Sequence, residues 1–98
     1  MDKEQAIKLA QRYKAALAEQ LPIKAIYLYG SYSKGTYTAT SDIDIAVILD
    51  KLNDDYFADT PKLWKIRRNI SNLIEPVLLS EDSNCPLFSD VIKTGILI

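Results

Sequence analysis

The residues with chemical potential lie between Gly30 and Leu49 of the 98-residue chain. A β-branched and aromatic run, Ala25 to Tyr29 (AIYLY), stops at Gly30-Ser31. Ten residues further on, Asp42-Ile43-Asp44 stands at the mouth of a second apolar run. On an extended strand residues i and i+2 share a face, so Asp42 and Asp44 point the same way, with Cα atoms about 7 Å apart. Ile43 and Ile45 then point into the core and hold the register. Two carboxylates at that spacing can converge on divalent cations, which two-metal sites hold about 3.5–4 Å apart. The donors are oxygen only, which suits Mg²⁺ or Mn²⁺ and not zinc. Gly30 lets a phosphate approach the backbone closely, and the Ser31 hydroxyl and N–H can donate to phosphoryl oxygens. Because Mg²⁺ sites combine one or two carboxylates with substrate phosphates, a Gly-Ser cradle facing paired aspartates is coherent for handling a nucleoside triphosphate.

The elements that must position these residues follow from periodicity. Asp2 to Gln20 is a helix candidate, with Ile7, Ala10, Tyr13 or Lys14, Leu17 and Leu21 on one stripe. Asp2 and Gln5 are spaced as a capping box, and Pro22 closes the segment. Ala25 to Tyr29 is a buried strand. Ser31 to Ser41 is polar and Gly-, Ser- and Thr-rich, and is expected to be a loop or short irregular turn in which Gly35 permits a sharp return. Ile43 to Leu49 is the second strand, and Asp50 to Asp59 an acidic connector. Thr60-Pro61 resembles an N-cap followed by proline at the first helical position. Leu63, Ile66, Ile70 and Leu73 mark the buried face of the helix that follows. Ile74 to Leu79 is a third strand, and Pro76 favours placing it at an edge or at its start. Pro86 to Lys93 is a short helix ended by Gly95, and Ile96 to Ile98 a terminal strand.

Composition narrows the classes. Apolar residues are 48% and charged residues 26%, the balance of a folded chain, and the length fits one domain, residues 1–98. There is no histidine, which excludes every site that needs imidazole, and the single Cys85 excludes an intrachain disulfide framework or cysteine zinc site. Lys plus Arg number 12 against 13 Asp plus Glu, so the net charge of −1 gives no global attraction to a nucleic-acid template or an anionic membrane. No apolar run approaches the ~20 residues that span a bilayer, and a cytoplasmic α/β or α+β domain is expected.

At Gly30-Ser31, Ser41 and Asp42-Ile43-Asp44 the sequence resembles the polymerase-β-type nucleotidyltransferase superfamily, whose signature is Gly-Ser, about ten residues, then Asp-x-Asp. It is most similar to the minimal nucleotidyltransferases, small proteins often paired with a helical HEPN partner in toxin–antitoxin systems. The resemblance implies an α/β core: a small mixed sheet with helices packed mainly on one face. It also implies a third carboxylate on the neighbouring strand, binding the catalytic metal and able to serve as general base. Glu75 is the matching position, and the only acidic residue inside the third apolar run. The implied reaction moves a nucleoside monophosphate, AMP from ATP, onto a hydroxyl acceptor and releases pyrophosphate. Asp42, Asp44 and Glu75 would hold Mg²⁺ or Mn²⁺, and Gly30 and Ser31 the phosphates. Two other classes stand beside it: a non-catalytic antitoxin with a vestigial site, and a polymerase-like or antibiotic-modifying transferase, against which the short length argues.

Plainer readings accompany the rest. An EF-hand is excluded because apolar Ile43 and Ile45 interleave the acids. A P-loop fails because Lys34 precedes Gly35. Lys34 could contact a triphosphate or be a solvated loop lysine, and Ser41 could cap the strand or order Asp44. Lys62, Lys65, Arg67 and Arg68 read as the wet face of an amphipathic helix. Trp64 lies off the core stripe and, with Tyr56 and Phe57, marks either a partner surface or a satellite cluster. Cys85 reads as a bystander.

Overall fold

A computed structural model of the chain describes residues 2–38, 41–49, 56–80 and 86–98. Residues 50–55 of the expected acidic connector, the side chains of residues 56–59, Tyr56 and Phe57 among them, and Cys85 lie outside the described residues. The chain runs α1 (Lys3–Ala18), β1 (Ala25–Tyr29), α2 (Ser31–Lys34), β2 (Ile43–Leu49), α3 (Tyr56–Arg67), β3 (Ile74–Ser80), α4 (Pro86–Thr94) and β4 (Ile96–Leu97). The described strands form one mixed sheet in the order β3-β2-β1-β4. β1 pairs antiparallel with both β2 and β4, whereas β2 and β3 run parallel across the crossover that contains α3.

Helix α1 begins as its sequence requires. The Asp2 side chain accepts from the Gln5 N–H (2.8 Å) and the Gln5 side chain accepts from the Asp2 N–H (3.0 Å), closing the capping box. Its buried stripe is Ala6, Ala10, Tyr13 and Leu17, with Ile7 half-buried at its flank. These residues pack, together with Leu63 and Ile66 of α3, on the sheet face that carries Ile26, Leu28, Ile43, Ile45, Val47 and Leu78. Fully burying one such aliphatic side chain stabilises by about 1.5–3 kcal/mol, so this face dominates the fold. The Tyr13 hydroxyl donates to the Leu63 carbonyl (2.7 Å) and ties α1 to α3 inside that core. The other face is thinner: Ala46, Ile48 and Leu79 are covered by Val91 of α4, with Leu87, Phe88 and Tyr27 partly buried around them.

Three expectations are corrected. Ser31–Lys34 is a single helical turn and not irregular. It forms because Tyr32 is fully buried and anchors it, the Lys34 N–H reaches the Gly30 carbonyl (3.1 Å), and Gly35 at φ 77 ends it in the left-handed region. Helix α3 starts upstream of Thr60-Pro61, and Pro61 lies inside it. Proline there forgoes one N–H bond to the preceding turn and crowds the carbonyl four residues back, and tertiary packing of Leu63 and Ile66 overrides the local stop signal. The helix ends at Arg67, so Ile70 and Leu73 cover the core from the following turns. Pro76 sits on β3, an edge strand among those described, where its missing donor is tolerated. Among the described residues no helix is long and apolar enough to cross a membrane.

Candidate active site

Strand pairing assembles the site. Tyr29 faces Asp44 across the β1–β2 pair, and Asp44 faces Glu75 across the β2–β3 pair. Directly paired residues share a sheet face, so Tyr29, Asp44 and Glu75 form a row over three adjacent strands at one end of the sheet. That face is the thin one, beyond the part that α4 covers. Asp42 stands two residues before Asp44, is exposed, and shares a side-chain hydrogen bond with Glu75. Between the two aspartates Ile43 turns to the opposite face and is fully buried, and its N–H bonds to the Leu73 carbonyl (2.8 Å), fixing the strand mouth.

Electrostatics mark the same place. Loss of hydration at the sheet end, then the Asp42 charge, pushes the Asp44 carboxyl above the usual aspartate range. Glu75 is raised too, first by desolvation and then by Asp42 and Asp44, while the Arg67 guanidinium works in the opposite direction. Tyr29 is raised by burial, then by Asp44 and Glu75. A group of carboxylates that resist ionising together is a place where a cation is favoured.

Gly30 couples the loop to the acids. It has φ 72, a conformation costly for residues with a side chain, and a Cβ added there would collide with the Asp44 carboxylate. Its carbonyl accepts from the Lys34 N–H and from the Ser33 hydroxyl (3.0 Å). Half-buried Ser31 opens the α2 turn, whose first amides have no acceptor within the helix. Ser41 bonds to Thr38, its hydroxyl accepting from the Thr38 N–H (2.8 Å), and so shapes the loop before the acids. Lys34 lies 3.8 Å from Asp90 of α4, an ion pair about half exposed on both sides.

A divalent cation is tested by this donor set. The side chains are all oxygen donors, and they crowd negative charge. Among the described residues, however, no group of three or more acidic, Cys or His side chains is drawn together as an ion-holding cage. The arrangement therefore fits a cation that takes its remaining ligands from substrate phosphates and water, the habit of Mg²⁺.

Two residues escaped the sequence reading. In the sequence Tyr29 is the end of a buried strand, since its alignment with Asp44 depends on a register that the connection between β1 and β2 conceals. Arg67 is not on a wet face: it is half-buried, its guanidinium lies 4.6 Å from the Trp64 ring centroid, and it donates to the Asn72 carbonyl (2.7 Å). Its i, i+3 spacing from Trp64 was the available signal.

The chain matches the polymerase beta nucleotidyltransferase family over residues 11–98. It is 34% identical over 103 aligned positions to a Methanocaldococcus jannaschii protein named as a "putative protein adenylyltransferase", covering 97% of this chain and 96% of that one. Its fold superimposes on the crystal structure of a "putative nucleotidyltransferase from Sulfolobus solfataricus" with a TM-score of 0.71 at 25% identity, covering 97% of this chain and 80% of the other. A toxin–antitoxin crystal structure with AMP-PNP matches with a TM-score of 0.57 at 28% identity, covering 99% of this chain and 72% of that one.

Proposed function

The chain belongs to the polymerase beta nucleotidyltransferase family, and from that premise we propose that it transfers AMP from ATP onto a hydroxyl of a partner protein. It is a nucleotidyltransferase enzyme, and the finer reading is carried by one observation: Asp44 aligned with Glu75 on one face, with Asp42 beside them and Gly30 against the Asp44 carboxylate. The name of its M. jannaschii relative, "putative protein adenylyltransferase", and the ATP analogue in a structural neighbour support AMP as the group moved and protein as the acceptor.

In this reading the first-turn amides and hydroxyl of Gly30-Ser31 hold the β- and γ-phosphates. Asp42 and Asp44 would hold Mg²⁺ or Mn²⁺ with Glu75 completing the site, and such an ion would supply charge neutralisation for the triphosphate. Glu75 takes the acceptor's proton. The acceptor oxygen forms a bond to the α-phosphorus, the bond to the pyrophosphate oxygen breaks, and the acceptor is left as its adenylyl ester. Little else is required of the protein, since phosphoryl transfer depends mainly on positioning and charge neutralisation.

The biological setting proposed is that of an antitoxin acting on a helical HEPN-type toxin, as a single cytoplasmic domain; the likeness to a toxin–antitoxin structure supports it. Co-expression with the product of the adjacent gene, followed by intact-mass analysis, tests it. The expected result is an added adenylyl group on the partner, absent with Asp42→Asn or Asp44→Asn. Efficient modification of aminoglycosides by the chain alone, with an unmodified partner, would sink the proposal.

A further inference from the structure

The C-terminal half of α3 is a cationic surface, and the turn leaving it lies at the same end of the sheet as the acidic row. From Thr60 to Ile74 the sequence contains Lys62, Lys65, Arg67 and Arg68 and no acidic residue. Lys62, Lys65 and Arg68 are exposed, and so is Trp64 at 39%, one of few large apolar side chains left so open among the described residues. Arg67 is stacked over that ring and locked by its bond to the Asn72 carbonyl, three residues before Glu75. Its Nε is buried with no partner among the described residues. Parallel pairing of β3 with β2 puts the start of β3, and hence the turn leaving α3, at the same sheet end as Asp42 and Asp44.

We infer that the Trp64–Arg67 pair, flanked by Lys65 and Arg68, docks an acidic polypeptide segment of the acceptor protein and delivers its hydroxyl to Glu75. This rests on the protein-adenylylation reading above. Trp and Arg, pre-ordered against each other, are the residue types that dominate binding energy at protein interfaces. Charge complementarity sets the partner's sign. A polypeptide fits better than a nucleic acid because three carboxylates stand at the same sheet end, which repel a continuous phosphate backbone but accept a neutral hydroxyl carried between discrete acidic residues.

Trp64 is the single tryptophan of the chain, so its fluorescence reports the surface without any chemistry. The probes are a tyrosine peptide flanked by glutamates, the same peptide flanked by lysines, and a uridine oligonucleotide. The glutamate peptide should perturb Trp64 fluorescence and, with Mg²⁺ and ATP, be adenylylated with a kcat/KM about tenfold above the lysine peptide. Lys65→Glu with Arg68→Glu should erase that preference through KM, and Lys65→Gln with Arg68→Gln should halve it on a logarithmic scale, while ATP-induced thermal stabilisation stays unchanged. Binding without transfer to any peptide would uphold the docking surface and defeat the catalytic reading. No binding of the glutamate peptide, equal use of both peptides, or tighter binding of the oligonucleotide would overturn the inference.

Discussion

The two faces of the sheet are made by the same strands and do opposite things. On the face under α1 and α3, Ile26, Leu28, Ile43, Ile45 and Val47 are wholly buried. On the other, Ala46, Ile48 and Leu79 lie under α4, and then, toward the strand mouth, apolar side chains give way to Tyr29, Asp44 and Glu75. Period-two alternation makes this division possible: within Asp42-Ile43-Asp44, the outer residues serve chemistry and the middle one serves the core. The lesson is that a short helix covering only part of a sheet face leaves room for carboxylates that a complete core would exclude.

Substitutions on the two faces should therefore part company. Ile43→Asp buries an unpaired charge under α1 and α3 and should remove about 4 kcal/mol or more, enough to unfold or aggregate the domain in a urea melt. If that variant melted like the wild type, the thick face would not be the structural one. Gly30→Ala, at the junction, should lower stability by about 1–3 kcal/mol through its positive φ and also abolish transfer, because its Cβ displaces the Asp44 carboxylate. Tyr13→Phe should lose about 1 kcal/mol by removing the buried hydroxyl bond that ties α1 to the Leu63 carbonyl of α3, with kcat and KM untouched.

The smallest stability effect belongs to the acids, and its sign sharpens the contrast. Asp42→Asn and Asp44→Asn should abolish transfer yet leave metal-free stability unchanged or higher. Asp44 and Glu75 hold their protons more tightly when folded, so their contribution is fully present below about pH 4 and is lost as pH rises through the elevated folded values. The Asp44→Asn advantage should thus be absent at low pH and grow toward neutrality in paired thermal melts. Adding Mg²⁺ with ATP should stabilise the wild type beyond either alone and do so little for the variant. Asn variants that are inactive because they no longer fold would make these acids structural.

Legibility divided along similar lines. Ala25–Tyr29 and Ile43–Leu49 were readable residue for residue, because unbroken β-branched runs have few other uses. The α1 cap was readable from Asp2 and Gln5 alone. The α2 turn was not, since Ser-Tyr-Ser-Lys forms a helix only through burial of Tyr32. The beginning of α3 was hidden by an acidic stretch and by Pro61, whose local preference packing overrides. Asp42, Asp44 and Gly30 could be found from residue type and spacing. Glu75 required the resemblance to a family. Tyr29 and Arg67 required cross-strand register and tertiary approach, which no spacing along the chain encodes.

The parallel pairing of β2 with β3 sets when, as well as where, the site exists. Antiparallel β1 and β2 meet across the short span between Tyr29 and Ile43, whereas Asp44 meets Glu75 only after the whole α3 crossover has been threaded. Contacts that close long loops form slowly, since chain entropy is spent before they stabilise anything. During refolding, recovery of the acidic row should lag behind the hairpin-like β1–β2 unit. Catalytic competence then becomes a clock for the last event of assembly, and a chain caught halfway holds two aspartates in place with no base to work beside them.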